Sequence, residues 1–253
     1  MALRLRDLTL DIPVDEKLLP VEVAGYLGVE SGLLKDFKVV RRSIDARKKN
    51  RIRKVYTVEF SCAGEEALLK KHGNGRLERS PAVVCVSAVP EIYLPGVNAD
   101  HHALVIGMGP AGLFAAKRLA ETGVRVTLVD RGRPLEQRVK DVESFWTTGQ
   151  FDAVSNVQFG EGGAGTFSDG KLTTRLNHPQ RLSVLETLVA CGAPEDILIE
   201  ARPHIGTDRL RKVVVNFRNH LVKLGVDIRF ETCLTNLDIH HGRIVGGIFN
   251  DQE

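Results

Sequence analysis

The sequence predicts a Rossmann-like α/β domain preceded by a small α+β domain of ferredoxin-like type. Three observations predict it. The first ninety or so residues read as strand, helix, strand, strand, helix, strand. Pro90, Pro95 and Gly96 then punctuate a joint across Tyr93 to His102. Beyond the joint, an apolar strand runs into a glycine-rich turn that opens a helix. A chain of 253 residues suits one or two domains, at about 150 residues each, and the boundary falls between 1–95 and 96–253.

In the first domain, Leu3 to Ile12 alternates with period two, while Val21, Val23, Ala24 and Leu27 after Pro20 suit a short helix closed by Gly28. Phe37 to Ile44 and Ile52 to Phe60 flank the polar segment Asp45 to Arg51 as a hairpin. Ala63 to His72 reads as a helix ending at Gly73 and Gly75. Ala82 to Val89, almost continuously apolar, reads as a buried last strand.

Charge is balanced overall, 35 basic against 32 acidic residues, which gives no general argument for nucleic acid or an anionic membrane. Ten basic residues against two acidic ones do crowd into Lys35 to Lys54. That hairpin is either a solvated, charged edge that discourages strand pairing or an anion-binding surface, the second being a nucleic-acid reading. No aromatic platform is interleaved with the charges. Met1 to Leu10 lacks the apolar core of a secretory signal, and the most apolar stretch, Ala103 to Ala116, is short and broken by Gly107, Gly109, Pro110 and Gly112. Cys62, Cys85, Cys191 and Cys233 offer neither a disulfide framework nor a metal spacing. The expectation is a cytoplasmic protein without a metal site or a membrane contact.

After the joint, His102 to Ile106 forms a strand, Gly107-Met108-Gly109-Pro110-Ala111-Gly112 is a GxGxxG turn, and Leu113 to Thr122 a helix. The glycines there allow, in order, the tight turn, the approach of backbone to a pyrophosphate, and close packing of helix on strand. Amide groups at the helix start would meet the phosphate charge. Val124 to Val129 makes a second strand ending at Asp130, 18 residues beyond Gly112, where an acid can accept from the ribose hydroxyls. The unit predicts dinucleotide binding and leaves FAD and NAD open.

A second segment, Gly160 to Lys171, is still richer in glycine. Gly162, Gly163, Ala164 and Gly165 would let a flat ligand or diphosphate approach closely. Thr166 and Ser168 would add hydroxyl hydrogen bonds, and Lys171 would meet negative charge on a reduced ring. Valine at Gly163 or Gly165 is expected to weaken binding.

The GxGPAG turn and Asp130-Arg131-Gly132 look like those of FAD-binding oxidoreductases, which favours FAD. Together with Ser43 to Lys49, Asn156 to Leu172 and Pro203-His204-Ile205-Gly206-Thr207-Asp208, they make the chain resemble a family of largely uncharacterised bacterial FAD-dependent (NAD/FAD-utilising) dehydrogenases. The resemblance implies a glutathione-reductase-like FAD/NAD(P)-binding fold, FAD as cofactor and NAD(P)H as reductant, with the substrate and catalytic residues unspecified. The layout of similar flavoproteins further implies Cys233 and Leu234 at the adenine edge, and Arg138 either at the pyrophosphate or as a solvent-facing helical arginine. His204 is either a substrate-site or a structural histidine. Similar flavoproteins continue into a β-meander and a substrate domain, so the chain reads as the first part of a longer enzyme. A flavin-binding sensor or modification protein would share every cofactor motif.

Overall fold

Leucines at alternate positions make β1 (Ala2–Asp11) a half-buried strand, with Leu3, Leu5 and Leu8 in the core. The alternation changes parity between Leu5 and Leu8. In the computed structural model, which describes residues 2–73, 75–81, 101–174, 178 and 180–250, the pairing register shifts there and Asp7 adopts φ 55°, a bulge that returns Leu8 to the core face. α1 (Leu19–Leu27) has Pro20 in its first turn and ends at Gly28, whose φ of 70° supplies the left-handed cap. β2 (Lys35–Asp45), β3 (Arg53–Ser61), α2 (Glu65–His72) and β4 (Leu77–Arg79) follow. The four strands form an antiparallel sheet in the order β2-β3-β1-β4, the strand order of a ferredoxin-like domain. Its last strand begins at Leu77, before the apolar run Ala82 to Val89, which lies outside the described residues with most of the expected joint.

The chain forms two units: the described residues of 1–88, 173–182 and 195–203, and those of 89–172, 183–194 and 204–253. The two later excursions of the first unit fall inside the range, 96–253, that the sequence assigned to the second domain. The edge of β2 explains one of them. Arg42 donates its amide to the Ile199 carbonyl at 2.7 Å and accepts from the Ala201 amide at 2.8 Å. Its guanidinium pairs with Glu16, Asp196 and Glu200 at 2.8–2.9 Å. A sheet edge that would otherwise present unpaired backbone is thereby covered.

The basic hairpin is largely neutralised inside this unit. Lys38 pairs with Glu59, Arg47 and Arg53 with Asp45, Arg51 with Asp11, and Lys54 with Glu16. Glu59, 3% exposed, accepts from Arg4, Lys38 and Ser80. Burial pushes its carboxyl up, yet these hydrogen bonds prevail and hold it at about 2. Because the folded value lies below the ordinary 4.5, the stabilisation is complete above that pH and is lost as pH falls toward 2. Glu59→Gln should lower stability at neutral pH by about 1–3 kcal/mol and flatten the acid limb of the denaturation profile of this unit, measured by urea unfolding at stepped pH.

The second unit is a parallel sheet with helices. β5 (His102–Ile106), α3 (Pro110–Glu121), β6 (Arg125–Val129), α4 (Leu135–Thr148), α5 (Gln180–Ala190), α6 (Thr207–Lys223) and β7 (Asp227–Arg229) precede an antiparallel hairpin of β8 (Leu234–His240) and β9 (Arg243–Phe249). The parallel sheet has three strands in the order β5-β6-β7, paired so that Ile106, Val129 and Arg229 end level. α3 starts at Pro110, three residues before the apolar periodicity, because proline at the first helical position needs no donor. Phe114 of α3 meets Phe217 of α6 edge to face at 5.0 Å in a core with Leu113, Val214 and Leu221. Among the described residues no helix is long and apolar enough to cross a membrane.

Candidate functional site: a dinucleotide cleft

Level strand ends bring three loops to one edge of the parallel sheet, where ligands bind in open α/β folds. They border a cleft of about 360 Å³ lined by Gly107 and Gly109 after β5, Asp130 and Arg131 after β6, and Thr232, Cys233 and Leu234 after β7, with Ile106, Gln158, Phe159, Gly160 and Gly163 completing the wall. Gly107 has φ 94°, a turn open to glycine, and its amide donates to the Val129 carbonyl at 2.7 Å. At Gly109 a side chain would meet nothing within 4 Å, so the backbone there faces open space. At Gly112 a Cβ would lie 1.9 Å from the Gly107 carbonyl, so its role is the packing of α3 on its own turn. Pro110, Ala111 and Gly112 form the first turn of α3; Pro110 has no amide donor, and those of Ala111 and Gly112 have no partner within the helix.

Asp130 is placed differently from a simple ribose acceptor. It is buried, its Oδ2 accepts from the Met108 amide at 2.6 Å and its Oδ1 from the Gly132 amide at 2.8 Å. The carboxylate therefore clasps the glycine turn to the end of β6 while still bordering the cleft. Lone pairs left on each oxygen are what a ribose would meet.

The second glycine-rich segment spells GxGxxG from Gly160 to Gly165, but neither a strand precedes it nor an α-helix follows it. It is an irregular loop with one 3-10 turn, Ala164–Phe167. The loop is sewn to the first motif: the Gly162 amide donates to the Met108 carbonyl at 2.9 Å. A Cβ on Gly163 would lie 3.2 Å from the Gly109 Cα, and one on Gly132 would lie 2.6 Å from the Gly160 Cα. The glycines let two backbones touch.

Arg138 organises this loop and does not reach the cleft. It is fully buried, and donates to four carbonyls: Asn156 at 2.9 Å, Val157 at 2.6 Å, Glu161 at 2.6 Å and Gly163 at 2.9 Å. Its guanidinium also lies 4.9 Å from the centre of the Phe167 ring. Burial pulls its pKa down to about 10, opposed by Asp130 and Glu161, so it stays charged at neutral pH. The expectation of a pyrophosphate contact gives way to a loop clamp, because carbonyls already occupy each guanidinium nitrogen.

Several other predicted residues point elsewhere. The buried Thr166 hydroxyl donates to the Glu161 carbonyl at 3.3 Å, and that of Ser168 donates to the Gly165 carbonyl at 2.7 Å. Lys171 pairs with Asp169 at 2.6 Å and its backbone bridges to His204, next to the Ile205 amide's bond to Gly170. Gly162, Ala164 and Gly165 shape the loop behind the cleft wall, outside its lining. Cys233 and Leu234 do line the cleft, but the Cys233 amide donates to Asn250 Oδ1 and its carbonyl accepts from the Asn250 amide, each at 2.9 Å. The Cys233 amide is thus already engaged, while its carbonyl keeps a second lone pair at the cleft wall.

Glu161, which the sequence analysis did not single out, anchors the loop's other side. Its Oε2 accepts from the Leu135 amide at the start of α4 and from Arg218 of α6, both at 2.8 Å, while its buried Oε1 has no partner among the described residues. Burial raises the carboxyl to about 6, against the pull of the Leu135 amide, Arg218 and Arg138, with Glu136 adding to the rise. Phe159 and Gln158, quoted within the motif but given no role, are wall residues of the cleft. Among the described residues no group of three or more His, Cys, Asp or Glu is arranged to hold a metal.

The fold is an α/β domain with a parallel sheet and a cleft at its strand ends, and known proteins resemble it as follows. A model described as an FAD binding domain matches residues 100–141, and one described as a domain of unknown function (DUF8436) matches residues 3–61. An uncharacterised protein of Clostridium beijerinckii (strain ATCC 51743 / NCIMB 8052) is 34% identical over 250 residues, 99% of this chain and 46% of that protein. The chain thus spans about half the length of this curated relative. An L-amino-acid oxidase of Siganus canaliculatus is 43% identical over 47 residues, 19% of this chain and 9% of its own. A solved glycine oxidase from Bacillus cereus ATCC 14579 aligns with a TM-score of 0.30 and 14% identity, covering 60% of this chain and 52% of that one.

Two paired predictions follow from the loop. Gly163→Ala should cost about 1–2 kcal/mol, since φ is +66° and Gly109 is adjacent, whereas Gly165→Ala, in open space, should stay within about 0.5 kcal/mol; urea denaturation compares them. Glu161, with its folded value raised from 4.5 to about 6, stabilises fully below pH 4.5 and loses that contribution as pH rises through 6. Glu161→Gln should abolish this segment of the stability profile, read by melting temperature between pH 4 and pH 7.

Proposed function

We propose that the cleft binds FAD through its adenosine diphosphate half, and that the complete protein is a cytoplasmic FAD-dependent oxidoreductase, a dehydrogenase whose flavin takes hydride from NAD(P)H and serves an unidentified small-molecule substrate. The observation that carries the reading is the fit of the FAD-binding-domain match to the geometry: residues 100–141 contain the Gly107–Gly112 turn, the first turn of α3 and the buried Asp130. Gly107 and Gly109 leave room where any side chain would stand in the cleft. That cradle fits a diphosphate, the α3 amides supplying donors and the helix dipole positive potential. Asp130 offers its remaining lone pairs to a ribose, held in place by the Met108 and Gly132 amides.

Bound FAD supplies the electron-transfer chemistry; the protein groups described here bind and orient it. The free thiols of Cys62, Cys191 and Cys233 accord with a reducing compartment. The nucleic-acid reading of the basic hairpin is the less favoured one, because Lys38, Arg47, Arg51, Arg53 and Lys54 each have an acidic partner.

The purified chain, mixed with FAD and freed of excess ligand, should keep a flavin visible band that NADH or NADPH bleaches. Gly109→Val, whose added atoms enter empty space at an ordinary φ of −69°, should weaken FAD by about tenfold or more with an unchanged melting temperature. A folded wild-type chain that stays colourless, or a Gly109→Val variant with wild-type affinity, contradicts the binding site. A stable flavin that NAD(P)H leaves oxidised contradicts the dehydrogenase and favours a sensor.

A further inference from the structure

Glu161 belongs to the loop that walls the cleft. Its neighbour Gly160 and, two positions on, Gly163 line the cleft, and the carbonyls of Glu161 and Gly163 share one guanidinium nitrogen of Arg138, at 2.6 and 2.9 Å. The Glu161 side chain is fully buried. Its Oε2 takes the Leu135 amide and Arg218, whereas Oε1 has no partner among the described residues. A buried carboxyl with one oxygen orphaned is favoured in its neutral form, since a proton there removes the desolvation of a charge.

Three charged side chains act on this carboxyl: Arg138 and Glu136 of α4 and Arg218 of α6. Arg138 is itself held charged by Asp130, at the cleft, as well as by Glu161. Burial raises the Glu161 carboxyl to about 6, so its charge changes just below neutral pH. When it is ionised, the two arginines stand against three carboxylates, those of Asp130, Glu136 and Glu161. A diphosphate laid at the start of α3 adds further negative charge to a set that already has an excess of it. The relief nearest to hand is a proton on the carboxyl that burial already disfavours as an anion.

We propose that Glu161 takes up a proton when a dinucleotide diphosphate enters the cleft, so that occupancy of the site and the charge of this buried carboxyl are linked. The inference rests on the FAD reading and deepens it. The proton passes from solvent to Oε1 and returns to solvent on release; the phosphates of FAD keep a fixed charge near neutral pH and take up none. By reciprocity, FAD binds more tightly to the protein whose Glu161 is already neutral. Because the bound value lies above the free one, affinity is highest below pH 6 and falls as pH rises through it, levelling once Glu161 is ionised in both states.

FAD titrated calorimetrically between about pH 5 and pH 8, and near pH 6.5 in two buffers of different ionisation enthalpy, tests the linkage. Affinity should fall by about tenfold across the range, with uptake of about half a proton per FAD in the second experiment. Glu161→Gln, neutral at every pH, should bind FAD without slope or uptake. Arg218→Met, which removes a cation that holds Glu161 ionised, should shift the fall to higher pH; it reads the linkage independently of the Glu161→Gln fold. A slope and uptake that persist in Glu161→Gln assign the proton to another group and overturn the proposal, as does a fall that Arg218→Met leaves in place. FAD bound by the wild-type chain with equal affinity across the range and no proton uptake overturns the linkage and leaves the FAD reading standing. A wild-type chain that binds no FAD at any of these pH values overturns both.

Discussion

The buried guanidinium of Arg138 and the four carbonyls that surround it fix the shape on which the cleft depends. A loop with glycine at 160, 162, 163 and 165 has more conformational freedom to lose than any other kind of segment, roughly 1–2 kcal/mol per residue for the backbone alone. Charged hydrogen bonds, each worth about 1.5–3 kcal/mol, offset that loss at one point. The arginine is buried without a contacting carboxylate among the described residues. Carbonyl dipoles solvate it, and Asp130 and Glu161 hold it charged from a distance.

From this clamp the rest of the site follows in order. With 156–163 held, Gly162 meets Met108, Gly163 meets Gly109, and Gly160 meets Gly132. Asp130 ties the same turn from the strand side through Met108 and Gly132. Two glycine-rich segments far apart in sequence are thereby joined as the two walls of one cleft. Glu161 and Arg218 carry the constraint outward to α4 and α6, with one buried Glu161 oxygen left without a partner among the described residues.

Much of this architecture was legible in the sequence. Period-two alternation, Pro20 with Gly28, and the GxGxxG turn each encode local structure by short-range sterics, so β1, α1 and the turn into α3 were found within a few residues. Side-chain direction was less legible. Arg138 and Thr166 looked like ligand contacts because their residue types suit phosphate, and nothing local says that a distant carbonyl will take the donor first. Lys171 likewise pairs two residues away, with Asp169. The bulge at Asp7 and the Arg42 bond to segment 199–201 arise from register and long-range pairing, which composition does not encode. The approach of Arg131 to the Phe159 ring, 4.1 Å from its centre, is likewise a long-range contact that no local pattern encodes.

The central claim is that the two glycine-rich segments make one dinucleotide site. Amide hydrogen exchange on the wild-type chain with and without FAD tests it directly. Exchange should slow jointly across 107–113 and 158–166, to a similar degree and at the same FAD concentration. Slowing confined to 107–113, with 158–166 exchanging as in the free protein, would contradict it.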